Sequence, residues 1–458
     1  MSESVTVVGA GLAGSLMAIF LARRGYRVRL FEKRPDMRKE ELPAGRSINL
    51  ALANRGLKAL RAAGLEERVQ ALLVTMRGRM IHGPDGHTEL QPYGQRPWEV
   101  IYSVSRPGLN ALLLDEAEAA GVELHFRHPC VRVDLEAMAL VFRDEAENRE
   151  LEMPLRHCLA ADGAGSVFRE ALVKKPGFHR TIDWLEHSYK ELNIPASAEG
   201  VYRIEPNALH IWPRGGYMLI ALPNLDGSFT VTLFLPDEGD PGFNTLDTNR
   251  AVRDFFRDQF PDAARLIPDV EKAFFNNPTA PLGTVRSDPW FLSDQLCLLG
   301  DAAHAIVPFH GQGMNAAFED CLEMDACLRE TDDRWKDAFR SYFQRRKPNA
   351  DAIADMAIEN YLEMRSSVID PRFLLRKELA FELERRQPDR FIPRYSMVMF
   401  RDDISYSEAR QRGEKQLNIL DEAIEGKTRL ADIDLDAVEC RVLESLPPVR
   451  RDSDNPPA

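Results

Sequence analysis

The sequence predicts an α/β protein with an antiparallel sheet inserted into it and a helical region towards its C-terminal end. Three observations predict this. The chain opens with an apolar strand, Val5–Val8, then Gly9-Ala10-Gly11-Leu12-Ala13-Gly14, then a helical pattern carrying Leu16, Ile19 and Phe20 up to the stop signal Gly25. Between about Tyr202 and Pro236 the texture changes to short segments rich in β-branched and aromatic residues, punctuated by glycine turns. Beyond Lys347 the pattern is mostly helical.

The elements follow in chain order. A second strand, Arg27–Phe31, ends at Glu32 and completes a βαβ opening. A helix over Gly108–Ala120, a strand over Glu123–Phe126 and a strand over Cys158–Gly163 carrying Asp162 extend this frame to about Arg180. The inserted sheet is expected from Val201–Ile204, Ala208–Trp212, Tyr217–Leu222 and Ser228–Leu235. Arg214-Gly215-Gly216 and Asp226-Gly227 read as hairpin turns between the last three. One face of such a sheet can pack on a core while the other lines a cavity. The α/β frame returns with a strand over Gln295–Gly300, the segment Asp301-Ala302-Ala303-His304 and a helix over Gly313–Leu328. Helices over Asn349–Arg365, Pro371–Arg386 and Ser405–Ile424 follow, and the proline-rich, charged tail from Pro447 reads as frayed.

Charge and composition exclude some functions. Lys plus Arg is 59 and Asp plus Glu is 72, a formal net charge of −13, which argues against broad nucleic-acid binding but leaves room for a local anion site. No apolar run approaches the ~20 residues that span a bilayer. The first residues enter a strand directly, which leaves no room for a signal peptide. The six cysteines are scattered with no C-x-x-C pair, a pattern of reduced thiols in a cytoplasmic protein rather than of a disulfide or zinc framework.

The strand–glycine–helix opening points to a dinucleotide. Gly9 permits the tight turn, Gly11 lets the backbone approach a pyrophosphate, Gly14 lets the helix pack on the strand, and the helix N-terminus presents unpaired N–H groups. Glu32, at the end of the second strand, can accept hydrogen bonds from a ribose diol. That motif does not separate NAD from FAD. The later Leu296–Gly300 strand with Asp301 at its end favours FAD, which is long enough to reach from the first strand to a carboxylate that accepts a ribityl hydroxyl; the plain alternative for Asp301 is a helix N-cap. Gly311-Gln312-Gly313-Met314-Asn315 then opens a helix whose positive end favours negative charge on a reduced isoalloxazine. Arg106, just before a helix, can meet the flavin or the pyrophosphate, or be an ordinary surface arginine. His304, His125 and His128 lack metal-ligand spacing, so no metal is expected. There is no Gly-x-Ser-x-Gly and no nucleophile–base pair, so no catalytic side chain is assigned.

Three motifs together, GAGLAG, Asp162-Gly163-Ala164 and Gly300–Asn315, resemble the class A flavoprotein aromatic hydroxylases. Gly45–Leu52, Gly78–His82, Pro92–Gly94, Glu359–Arg365 and Phe391–Val398 are most similar to the members that act on L-kynurenine, and the likeness runs from Gly9 to about Arg412. The resemblance implies an FAD-binding domain over residues 1–75, 100–180 and 280–346. It implies a substrate domain over 76–99 and 181–279, and a C-terminal helical region over 347–458. It further implies NADPH- and FAD-dependent hydroxylation of L-kynurenine to 3-hydroxykynurenine, with O2 activated at the flavin C4a position.

Residue by residue, the resemblance places Arg79, Tyr93, Asn360 and Tyr395 on the amino-acid end of the substrate, and His310 beside the expected flavin ring as a further substrate-binding residue. It places Gly9, Gly11, Ala13, Gly14, Phe31, Glu32, Lys33, Arg34, Ala51, Arg106, Cys130, Asp301, Gly313, Met314 and Asn315 on FAD. Cys130 stands where relatives carry an aliphatic residue, and the contact expected there is through backbone. The chemistry is sensible. A guanidinium binds a carboxylate through two parallel bonds, and Asn360 interrupts an apolar helix stripe of Ile353, Ala357 and Met364. Taken singly, Arg79 also reads as a strand-edge charge, and the two tyrosines as core aromatics. Membrane-anchored relatives end in a hydrophobic run that Leu446–Ala458 lacks, so a soluble form is expected; the sequence does not fix the oligomeric state, and a homodimer stays open. Three alternatives stay open: a class A hydroxylase of another aromatic acid, a flavin-binding redox or interaction module, and a plain NAD dehydrogenase.

Overall fold

A computed structural model of the protein describes residues 3–40, 49–366 and 370–449. Residues 45–48 of the Gly45–Leu52 segment and 450–458 of the tail lie outside the described residues. The chain forms two compact units, one from Met1–Leu73, Val104–Leu185 and Pro281–Ala357, the other from Val74–Ser103, Glu186–Ala280 and Ile358–Ala458.

In the first unit Ser4–Val8 lies between Arg27–Phe31 and Cys158–Ala160, parallel to both. Glu123–His125 extends the sheet on one side, Leu296–Leu298 and the short antiparallel Phe291–Leu292 on the other. A central parallel strand is covered on both faces, hence the unbroken apolar run. The helix Leu12–Arg23 follows directly, with Leu16, Met17, Ala18, Ile19 and Leu21 fully buried. Arg106–Ala119 and Gly313–Glu330 pack against it. The strands Cys158–Ala160 and Leu296–Leu298 stop earlier than the apolar runs suggest. Beyond them Gly163 (φ +87°) and Gly300 (φ +59°) turn the chain away in a conformation that favours glycine. A three-stranded antiparallel sheet, Cys130–Asp134, Ala139–Asp144 and Arg149–Pro154, also belongs to this unit. The pattern missed it because its outer strand is charged and mostly exposed.

The sheet of the second unit has the neighbour order His179–Ile194, Phe229–Pro236, Met218–Pro223, Ala208–Pro213, Gly78–His82, Thr88–Pro92. Both hairpin turns form, with Gly215 at φ +77° and Gly227 at φ +83°. Two expectations fail. Val201–Ile204 is not a strand; Val201 is 56% exposed, and the position beside Phe229–Pro236 is taken by the long strand His179–Ile194. Asp183, Glu186, Lys190 and Glu191 hide that strand's alternation. Nor is the sheet wholly antiparallel, because Ala208–Ile211 runs parallel to Gly78–Ile81. Arg79 therefore sits on an interior strand, which removes the strand-edge reading.

The two faces of this sheet differ. Trp212, Leu219, Val231 and Leu233 point into a core closed by the helix Asn249–Gln259 and by Phe256, Phe260 and Phe274. Arg79 pairs in register with Leu209, one residue out of phase with Trp212, and so belongs to the opposite face. His82 lies on the core face, its ring stacked on Trp212 at 4.0 Å between centroids.

The long helix Trp335–Ser366 passes through Pro348 rather than starting at Asn349. Pro371–Arg386 forms as expected; its N-cap Asp370 accepts from Arg372 N at 2.7 Å. With Tyr406–Ala423 and the unanticipated Leu435–Ser445 it buries Leu379, Leu383, Phe391, Ile419 and Val442. Among the described residues no helix is long and apolar enough to cross a membrane.

Candidate functional site

The glycine turn of the first unit is shaped by close backbone approach. A Cβ on Gly9 (φ +98°) would meet Ala161 O at 2.3 Å. Gly14 is as constrained, because a Cβ there would collide with the Gly9 carbonyl oxygen. Gly11 is different: no described residue lies within 4 Å of its Cβ position, and as N-cap of Leu12–Arg23 it gives no side-chain hydrogen bond to the first turn. The N–H groups of that turn thus face a cradle that a side chain would fill, the geometry that receives a phosphate. The roles separate by substitution. Gly14→Ala lowers thermal stability. Gly11→Asn keeps a good N-cap at an extended φ of −76°, so the fold survives, but the amide occupies the phosphate position and the purified protein is colourless. Unfolding temperature and flavin content of the two variants check this.

Glu32 is buried, and its carboxylate accepts from Ala10 N at 2.8 Å and from Arg34 N and Nε at 3.0 and 2.8 Å. It ties the strand end to the glycine turn and retains lone pairs for a diol. Phe31 is a core ring, stacked on His125 and Phe142, so a ligand can meet only its backbone. Lys33 and Arg34 are exposed. Cys130 pairs with Phe142 next to a register shift, and burial pushes its thiol up to about 12. Asp162 accepts from Val167 N through one oxygen, while the other is buried without a partner among the described residues. Burial pushes that carboxyl up.

Two backbone segments converge on Asn315, which is fully buried. Its Oδ1 accepts from Ala53 N at 2.9 Å, and its Nδ2 donates to Ala51 O at 2.9 Å and Gly311 O at 2.8 Å. Gly311 (φ +65°) lies so close that a Cβ there would be 2.9 Å from the Ala51 Cβ. Asn315 therefore shapes the Ala51 segment, and Gly313 and Met314 open the helix Gly313–Glu330 beside it. His310 is buried on the turn Pro308–His310 just before. Asp301 is not an N-cap: that position is Gly300, and no described residue bonds the Asp301 carboxylate. Arg106 is exposed at the first turn of its helix, where Ser105 provides the cap. Ala13 approaches Gly300, whose Cβ would lie 3.4 Å from the Ala13 Cβ.

Sequence reasoning missed what holds Asp301 in place. Asp320, fully buried, accepts from Gly300 N at 3.1 Å, His304 Nε2 at 2.6 Å and Arg346 Nε at 2.7 Å. Arg346 continues to Glu319, and Glu319 to the buried Arg55. Burial alone would push the Asp320 carboxyl up, but His304 and Arg346 overcome it and hold it down at about 2. His304 is thus a partner of a carboxylate, and no metal-binding group of His, Cys, Asp or Glu occurs among the described residues. The one available signal was the pair Glu319-Asp320 directly after the apolar run Ala316-Ala317-Phe318.

The second unit brings Arg79, Tyr93, Asn360 and Tyr395 together. Arg79 is 8% exposed. Its Nη1 donates to Glu363 Oε1 at 2.9 Å, its Nη2 to Asn360 Oδ1 at a long 3.4 Å, and its guanidinium lies 4.9 Å over the Tyr395 ring. The Tyr93 ring stacks on Tyr395 at 5.5 Å, and the buried Tyr93 hydroxyl has no partner among the described residues, nor has Arg79 Nε. Burial raises both phenols, Tyr395 to about 12. Burial also opposes the Arg79 charge, but Tyr395 and Glu363 more than offset this. The loop carrying Tyr93 is fixed by Arg96, which donates to Glu99 at 2.6 Å and to the buried Glu384 at 2.9 Å. Asn360 is buried beside Met364. Glu363 was also missed; its signal was the i, i+3 spacing from Asn360, which puts both on one helix face. The cluster offers a cation, an anion and unsatisfied donors within one small region, which suits a zwitterion.

Residues 2–357 match the family described as FAD binding domain. The chain is 48% identical over 446 residues to a kynurenine 3-monooxygenase of Stenotrophomonas maltophilia (strain K279a), covering 97% of this chain and 98% of that protein. It is 50% identical over 434 residues to one of Myxococcus xanthus (strain DK1622), covering 94% and 93%. Among solved structures it resembles 2-methyl-3-hydroxypyridine-5-carboxylic acid oxygenase in its tetrameric form, with a TM-score of 0.63, 19% identity and 82% of this chain and 95% of that one covered. It also resembles Pseudomonas aeruginosa PqsL in complex with 2-aminobenzoylacetate, with a TM-score of 0.63, 21% identity and 80% and 97% covered. At that identity the two structures bear on fold alone.

Proposed function

The chain belongs to the kynurenine 3-monooxygenase family and carries that family's FAD-binding domain, and on that footing we propose that it hydroxylates L-kynurenine to 3-hydroxykynurenine, with NADPH and O2 as co-substrates. The observation that carries the reading is the Arg79–Glu363–Asn360 cluster flanked by Tyr93 and Tyr395. An α-amino acid presents a carboxylate and an ammonium side by side. Arg79 takes the carboxylate, the Tyr93 and Tyr395 hydroxyls complete its lone pairs, and Asn360 and Glu363 face the ammonium.

In this reading the first unit is the FAD domain and the second the substrate domain. Gly9, Gly11, Gly14 and the Leu12–Arg23 N-terminus hold the pyrophosphate, Glu32 the ribose, and Asp301 with the Ala51 and Gly313–Asn315 segments the flavin end; Arg106 meets the cofactor from its exposed helix turn. FAD, when bound, supplies hydride acceptance from NADPH and activation of O2 for transfer to the aromatic ring. The substrate's own aromatic amine makes the adjacent ring carbon electron-rich. The side chains therefore need to position that ring and exclude water, and none is assigned as a base. The enzyme acts in the cytoplasm.

The test is NADPH oxidation by the FAD-loaded protein. L-Kynurenine is expected to stimulate it at least about tenfold, the contribution of one well-placed interaction or more, with a product 16 Da heavier by mass spectrometry. Stimulation by a different aromatic acid, with none by kynurenine, overturns the substrate assignment and leaves the flavin.

A further inference from the structure

The turn Gly9-Ala10-Gly11 is held from two sides by buried side chains, and only Glu32 was expected from the sequence. Glu32 accepts from Ala10 N at 2.8 Å. Asn110 Nδ2 donates to Ala10 O at 3.1 Å and to Met37 Sδ at 2.9 Å. Asn110 belongs to the helix Arg106–Ala119 and is 5% exposed. The other buried residues of that helix are Leu109, Leu112, Leu113, Leu114 and Ala117, so a single amide stands among apolar side chains.

A carbonyl and a thioether only accept, which fixes the amide with Nδ2 towards the turn. Its Oδ1 is buried with no partner among the described residues. The fully buried Asn315 is different, with backbone partners on both amide atoms. A half-satisfied amide in an apolar setting costs stability, and the bond to Ala10 shows what offsets it. The cis peptides are Asp240-Pro241 and Asp288-Pro289, so Ala10–Gly11 is trans, and its carbonyl and N–H point in opposite directions. Asn110 takes the carbonyl. The Gly11 N–H therefore points away from Asn110, and no described residue accepts from it. Glu32 fixes the preceding peptide in the same manner: it takes the Ala10 N–H, and the Gly9 carbonyl turns onto Gly14, where it leaves no room for a Cβ. A flipped Ala10–Gly11 peptide would present a carbonyl oxygen to a phosphate in place of a donor.

We propose that Asn110 is a positioning residue for FAD: by holding the Ala10 carbonyl it keeps the Gly11 N–H available to the pyrophosphate. Arg106, assigned above to the cofactor, lies one turn earlier on the same face of the helix. The proposal rests on the reading that places the pyrophosphate at this turn and is independent of which aromatic acid is hydroxylated. It has a consequence that a core amide lacks. Without the Nδ2 donor the Ala10 carbonyl turns to water in the apoprotein, at little cost to the fold, and the cofactor has to drive it back on binding.

The experiment titrates FAD and ADP into full-length apoprotein of wild type, Asn110→Leu, Asn110→Asp and Gly11→Asn by calorimetry, and records the unfolding temperature of each apoprotein. Asn110→Leu keeps the size and loses the donor. Its apoprotein is expected to unfold within about 4 °C of wild type, while Kd for FAD rises about 5- to 150-fold. ADP, which carries the pyrophosphate without the flavin, loses the same factor. Asn110→Asp sets a carboxylate against the Ala10 carbonyl and loses at least as much; where Asn110→Leu does not fold, it decides by the same criteria. Wild-type FAD affinity in Asn110→Leu overturns the proposal, whether or not its unfolding temperature falls, and so does a loss confined to FAD with ADP unaffected. Gly11→Asn separates the two levels. If it binds FAD as wild type does, the pyrophosphate assignment falls and this proposal with it; if it binds none while Asn110→Leu binds normally, the proposal alone is overturned.

Discussion

Arg79→Ala raises KM for L-kynurenine by about 30- to 5000-fold, the equivalent of about 2–5 kcal/mol at about 1.4 kcal/mol per factor of ten. The range follows from the site. Arg79 is buried on an interior strand, on the sheet face turned away from the Trp212–Phe260 core. Truncation leaves the carboxylate of the ligand desolvated without its principal partner and at the same time strips Glu363 of its cation. Arg79→Lys falls in between, because an ammonium cannot make two parallel bonds and packs less well over the Tyr395 ring. Flavin content stays at the wild-type level in both variants, since the residues assigned to FAD belong to the other compact unit. Steady-state kinetics with an absorption spectrum checks both halves; an unchanged KM removes Arg79 from the substrate site.

Asp320→Ala acts on the cofactor and on stability together. It removes a fully buried carboxylate from three donors, two of them the cationic or ionisable groups Arg346 and His304. Breaking a buried pair in this way costs about 3–5 kcal/mol, and at about 2–4 °C per kcal/mol for a unit of this size the unfolding temperature falls by roughly 6–20 °C. The Gly300 N–H loses its acceptor in the same step, so the turn that presents Asp301 loosens and FAD is retained poorly. Asp320→Asn keeps part of the hydrogen bonding and falls between. The pH dependence has a defined sign. His304 and Arg346 hold the native Asp320 carboxyl down at about 2, below the ordinary carboxylate range, so its contribution is fully present above about pH 4 and is lost as the pH falls through about 2. The variants lack that acid-labile component. Thermal unfolding followed at neutral and acid pH, with flavin released measured by fluorescence, checks the expectation.

What the sequence made legible is what is local. The Ser4–Phe31 opening, the hairpins around Gly215 and Gly227, and the helix Pro371–Arg386 all announce themselves by periodicity, turn glycines or a capping Asp within a dozen residues or so. The long strand His179–Ile194 did not, because its charged residues break the apolar alternation while its hydrogen bonds go to Phe229–Pro236. Nor did the parallel pairing of Gly78–Ile81 with Ala208–Ile211, which joins segments far apart in the chain. The site divides along the same line. Arg79, Tyr93, Asn360 and Tyr395 were reachable through the family resemblance. Glu363, in the same helix as Asn360, drew no assignment because its partner lies 284 residues earlier. Asp320 was hidden likewise, its meaning set by Gly300, His304 and Arg346 rather than by its neighbours in sequence.

The Arg79–Glu363 contact has a bearing on who may enter. At rest the guanidinium already possesses an internal counter-ion, so a visiting acid is admitted by exchange rather than by simple addition. Acetate or another plain acid that displaces Glu363 strands a glutamate in poor solvent and gains little. On the proposed assignment an amino acid brings its own replacement, handing the ammonium to Glu363 as the carboxylate takes the guanidinium. On that assignment the site thereby selects for paired charges before the aromatic ring is tested, and ordinary organic acids are expected to be weak competitors.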